Sequence, residues 1–142
     1  KRSLLVDARG IPLSLVVSGA QRHDVKLLEP TLDHIVVKRP EGKKAPKQHL
    51  CADKAYAGEP AQETIEVRKY IPHVRQRGQE VKAKKRNPRY KARRWVVERT
   101  LSWLNRFRKL LVRFEKKTSS HEALLELACA FIVFRRVIII YG

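Results

Sequence analysis

The chain of 142 residues has no methionine, two cysteines and fourteen acidic residues. Each scarcity excludes something. Cys51 and Cys129 form no Cys-x-x-Cys pair, so neither a disulfide nor a zinc site is expected; each stands among apolar residues and reads as a small buried thiol. Long hydrophobic runs are also missing. The most apolar stretch, 128–140, is too short to span a bilayer and is broken by Arg135 and Arg136. No leader-like segment opens the chain, because Lys1-Arg2 runs straight into an apolar strand pattern. These absences predict a reduced, cytoplasmic setting with no membrane partner. A chain without methionine that begins at lysine is expected to be a piece of a longer product.

The shortage of acids is set against 32 Lys and Arg, for a formal net charge of +18. A field of that sign attracts polyanions, and DNA or RNA is the usual one. A ribosome-associated or merely basic protein is the alternative. With 43% hydrophobic residues the chain is globular rather than disordered, and its length suits one domain with a real core.

Residues 3–7 and 13–17 are short apolar runs around the turn Ala8-Arg9-Gly10-Ile11-Pro12, a hairpin pattern. Asp24 is the expected N-cap of a helix carrying Val25, Leu28, Leu32 and Ile35. Residues 39–47 read as a loop, and 49–52 as a brief buried strand that ends at Asp53. A helix over about 61–69 and an edge strand at 70–74, limited by Pro72, follow. Residues 75–94 carry ten Lys and Arg against Glu80 and read as an exposed basic connector. A long helix is expected over about 91–114, with Val97, Leu101, Leu104 and Leu111 as its seam. Ser119 or Ser120 would cap a last helix, about 121–137, apolar nearly all round and therefore a core element. The order β-β-α-β-α-β-α-α is mixed α/β.

Two carboxylates stand out. Asp53 directly follows a buried strand, where α/β sheets display functional groups, although an Asp there also suits a turn or a helix cap. Glu98 has Arg94, Ser102 and Asn105 at i−4, i+4 and i+7, a polar stripe that fits either a site or a surface ion pair. Together they offer the oxygen ligands Mg²⁺ prefers. Two such ions about 3.5–4 Å apart can activate water and stabilise a leaving oxygen. Asp7 is the tempting third acid, but Asp-x-x-Gly is ordinary turn chemistry. His23-Asp24 reads as a capping pair, and His34, His49, His73 and His121 show no ligand spacing. Trp95 and Trp103 could stack on bases, but they lie eight apart near the same helical side, so core packing is expected for at least one. No sequence-reading DNA motif is present.

Four blocks, in order, resemble the DDE transposases of bacterial insertion sequences, in the insertion-sequence-five group. They are Leu4-Leu5-Val6-Asp7-Ala8-Arg9-Gly10-Ile11-Pro12-Leu13, then Gly19-Ala20-Gln21-Arg22-His23-Asp24, then Ala52-Asp53-Lys54-Ala55-Tyr56, and last Arg94-Trp95-Val96-Val97-Glu98-Arg99-Thr100 with Trp103-Leu104-Asn105-Arg106-Phe107-Arg108. Glu122-Ala123-Leu124-Leu125 matches as well. The resemblance implies an RNase H-like mixed sheet flanked by helices, here lacking its first strand, and metal-dependent DNA cleavage and strand transfer. It implies that Asp53 and Glu98 are catalytic metal ligands for Mg²⁺ or Mn²⁺. Arg94 would be the signature arginine four before the Glu, contacting DNA. The family's Tyr-Arg-Glu-Lys signature is imperfect: its Tyr falls at Lys91, and its Lys at Asn105 beside Arg106. The family's first Asp has no counterpart in this chain.

The reading is thus one partial DDE catalytic domain over 1–142, expected to be inactive alone because one ligand is missing. Lys84, Lys85, Arg86, Arg93, Arg94, Arg99 and Arg106 are the expected DNA contacts. The expected partners are double-stranded DNA, at transposon ends and target, and a second copy in a synaptic homodimer, in a bacterial, nucleoid-associated setting. The competing reading is a basic nucleic-acid-binding module without catalysis.

Overall fold

The structure, a computed structural model, describes residues 1–40, 42, 45–74 and 95–141. The basic connector, with Lys84, Lys85, Arg86, Arg93 and Arg94, lies outside the described residues. The N-terminal runs form an antiparallel hairpin of β1 (Arg2–Val6) and β2 (Pro12–Val17). Helix α1 (Val25–Asp33) leads to β3 (Gln48–Ala52). A single 3-10 turn, Lys54–Tyr56, precedes α2 (Glu59–Val67) and β4 (Tyr70–Val74), which pairs parallel with β3. Three helices follow: α3 (Trp95–Asn105), α4 (Arg108–Leu111) and α5 (Thr118–Tyr141). The four strands make two separate two-stranded sheets.

The hairpin has a core on each face, because successive side chains of a strand point to opposite sides. Leu5 packs with Leu28, Leu32, Leu50, Ala61 and Ile65, so α1, α2 and β3 share one cluster with β1. Leu4, paired with Leu15 across the ladder, joins the other cluster, built on Leu104, Leu110, Leu125, Ala128 and Ile132 of the C-terminal helices. Arg68, just past α2, ties α2 to α1: its guanidinium meets Asp33 at 2.8 and 2.9 Å and Glu29 at 3.0 Å. The Arg68 pairing holds the exposed Asp33 carboxyl below its usual range.

Several elements depart from their sequence pattern. Asp24 occupies the N-cap position but makes no capping bond; it pairs with Lys1 at 3.2 Å, drawn off by the nearest cation. The helix predicted over 91–114 stops at Asn105, because Phe107 turns to extended backbone (φ −77, ψ 110) and starts α4. That break turns Leu110 inward and leaves Leu111 exposed. Ser119 and Ser120 lie inside the first turn of α5 rather than capping it. Nor is α5 buried all round: Leu125, Ala128 and Ile132 face the core, while Leu127, Phe131 and Phe134 are exposed. Of these only Phe131 meets a ring of another element, Phe107, among the described residues, and composition does not tell the two faces apart. Cys51 is exposed, because period-two alternation with buried Leu50 sends it outward; Cys129 is half-buried, and burial pushes its thiol up to about 11. No helix among the described residues is long and apolar enough to cross a membrane.

His121 sits buried at the start of α5 with its Nδ1 3.9 Å from Glu115, beyond hydrogen-bond reach. Burial first, then Arg113 and Arg2, lower its pKa; Glu115 and Glu122 oppose them. The folded state therefore disfavours the imidazolium more than the unfolded chain does. Stability is full above the ordinary histidine value of 6.5 and declines as pH falls below it. Thermal melts from pH 8 to pH 5 are expected to show this loss, and His121→Gln to flatten the slope; an equally steep loss in the variant would remove His121 from the explanation.

Candidate functional site

Asp53 ends β3, as expected. Its Oδ1 accepts the Lys54 backbone N–H at 2.6 Å, closing the 3-10 turn, and its side chain is exposed. Three residues on, Tyr56 is half-buried beside Ser3; burial, then Asp24 and also Asp53, raise its pKa, and the Ser3 hydrogen bond opposes them. Asp24 in turn pairs with Lys1.

Glu98 lies on the outer side of α3, exposed, opposite buried Val96, Thr100 and Leu104. Its neighbours grip the far end of the hairpin. The Arg99 guanidinium donates to the Arg9 carbonyl at 2.6 Å, and the Thr100 hydroxyl donates to the Gly10 carbonyl at 2.8 Å. Seven residues beyond Glu98, Asn105 accepts from Arg2 at 3.3 Å. So α3 runs alongside β1 with its Glu98 end at the Arg9–Gly10 turn. The five residues of β1 span roughly 15 Å at about 3.3 Å each. The described contacts therefore place Glu98 at the turn end of the hairpin, well along β1 from Arg2.

Asp7 is a turn residue: its Oδ1 accepts the N–H groups of Arg9 and Ile11, both at 2.8 Å. Among the described residues no three His, Cys, Asp or Glu side chains are grouped so as to hold a metal ion.

Of the predicted DNA contacts, Arg99 is committed to the fold. Besides its bond to Arg9, its guanidinium lies 4.6 Å over the Trp95 ring and 4.9 Å over Trp103. Arg106, on the turn after α3, is exposed. Sequence reasoning missed two clusters. Arg135 and Arg136 join Arg106, Trp103, Phe107 and Phe131 around a cleft between α3 and α5. On the outer face of β3–β4, His49 Nδ1 lies 2.6 Å from His73 Nε2, so one imidazole donates and at least one is neutral. Cys51 sits opposite His73 in the ladder. Alternation puts His49 and Cys51 on one face, but the parallel register that brings in His73 has no local signature.

Residues 1–133 match the transposase DDE domain family. The chain belongs to that family. A putative transposase for the insertion sequence element IS402 from Burkholderia cepacia is 33% identical over 138 residues, covering 93% of this chain and 61% of the relative. The chain thus spans about three fifths of the length of that relative. No solved structure matches it. DDE transposases generally use divalent metal ions.

Proposed function

We propose that this chain is the DNA-handling part of a bacterial insertion-sequence transposase of the insertion-sequence-five group. It would engage double-stranded DNA at transposon ends and target, in a synaptic homodimer. Asp53 and Glu98 are two of the carboxylates this reading assigns to the reaction, and Mg²⁺ or Mn²⁺ the cations. The observation that carries the reading is the family match over residues 1–133 on a chain of net charge +18.

The fold supports an RNase H-like sheet in two halves. The hairpin β1–β2 and the parallel pair β3–β4 share a core through Leu5 and Leu50, yet share no ladder. A strand between them would join the halves into one mixed sheet.

Residues 1–142 are expected to bind DNA without cutting it, because this reading finds no counterpart of the family's first Asp among them. Fluorescence anisotropy on duplex DNA should give a steep negative slope of log K against log salt. Arg106→Gln should make that slope shallower by about 0.9, one phosphate's worth. A flat slope would remove the DNA reading. Strand cleavage by residues 1–142 with Mg²⁺ or Mn²⁺ would overturn that expectation.

A further inference from the structure

The cleft between α3 and α5 has a volume of about 400 Å³, within the range of small-ligand sites. Its walls are aromatic: Trp103, Phe107 and Phe131. Phe107 and Phe131 meet edge to face, with ring centroids 5.9 Å apart. Phe131 is 48% exposed, an unusual placement for a ring with a cleft to enter. Three arginines also line the space, and no acid does. Arg136 lies 5.0 Å over the Trp103 ring, whereas Arg106 and Arg135 are exposed and make no ion pair among the described residues.

Aromatic walls select a planar ring, and unpaired guanidiniums select a phosphate, which they bind in a fork geometry. A nucleotide carries both. A base inside a duplex is stacked and cannot enter, so the occupant is an unpaired one. We propose that this cleft receives a single unpaired nucleotide of a DNA strand. Its base rests against Phe107 and Phe131, and its phosphates meet Arg106 and Arg135. This rests on the DNA reading above and deepens it. A second copy of the chain is the poorer occupant, since it would bring its own three arginines to the same place.

The test compares residues 1–142 on a short blunt duplex and on the same duplex with a single-stranded extension carrying 2-aminopurine. The extension is expected to tighten binding about tenfold, in the range of stacking one base on aromatic side chains, and its fluorescence to be quenched. Phe131→Ala should remove the gain and the quench while blunt-duplex affinity stays within about twofold. Arg135→Gln, at an exposed position, should reduce the gain several-fold. Equal affinity for the two duplexes, or a gain that survives both variants, overturns the cleft and leaves duplex binding standing. Free dAMP binding as tightly as the extended strand overturns the strand assignment. A change of oligomeric state in Phe131→Ala, with the nucleotide preference intact, assigns the cleft to a second copy and overturns the proposal. Absence of binding to either duplex overturns the DNA reading and the cleft with it.

Discussion

Gly10→Ala is expected to destabilise the chain by about 3 kcal/mol, combining backbone strain with a buried clash. Gly10 has φ +82, a conformation that L side chains rarely adopt. A Cβ there would stand 2.8 Å from the Thr100 hydroxyl and 3.0 Å from the Arg99 guanidinium. Neither can withdraw freely. Thr100 is fully buried and bonded to the Gly10 carbonyl, and Arg99 is held by Arg9 and two indoles. The joint between hairpin and α3 would have to open. For a chain of this size the melting temperature should fall by roughly 6–12 °C. Gly42 supplies the control: its φ is +105, and an added Cβ meets nothing within 4 Å among the described residues. Gly42→Ala should cost only the strain, about 1 kcal/mol. Equal losses in the two variants would show that the contact with Thr100 and Arg99 contributes nothing.

Leu104→Ala should cost about 3–4 kcal/mol, the usual loss when a fully enclosed leucine leaves a cavity. Leu104 has no solvent exposure and packs with Leu110, Leu125, Ala128 and Ile132. It thus joins α3, α4 and α5 to the hairpin face that carries Leu4 and Leu15. The same truncation at Leu127, which is 68% exposed on the other side of α5, should change stability by less than about 0.5 kcal/mol. Urea denaturation of the two variants measures the difference. A loss at Leu127 comparable to that at Leu104 would mean that the outer face of α5 is covered in solution.

Local chemistry was readable wherever the chain decides its conformation over a few residues. The hairpin follows from two apolar runs around Asp7 and Gly10, whose side chain and positive φ close the turn. β3 ending at Asp53, α1 carrying Leu28 and Leu32, and β4 confined to an edge by Pro72 were equally visible. What periodicity could not tell was where a helix would stop when its seam continued past the break. Val97, Leu101, Leu104 and Leu111 keep a helical rhythm, yet the chain turns at Phe107 so that Leu110 can enter the core. The outer face of α5 was misjudged because hydrophobicity reports what a helix can bury, not how many neighbours arrive to bury it.

The sequence by itself determined the family, through motif blocks in fixed order, and the attraction to polyanions, through a charge excess that needs no fold to act. It also determined which residues turn, cap and alternate, because those choices are made within a few bonds. Only the tertiary structure decided that Arg99 clasps a turn rather than facing solvent, that His49 meets His73, and that three arginines gather beside three aromatic rings. It alone set Glu98 at the turn end of the hairpin, beside Arg9 and Gly10. Distances between residues far apart in the chain depend on how whole elements pack, and packing is settled by all the side chains together.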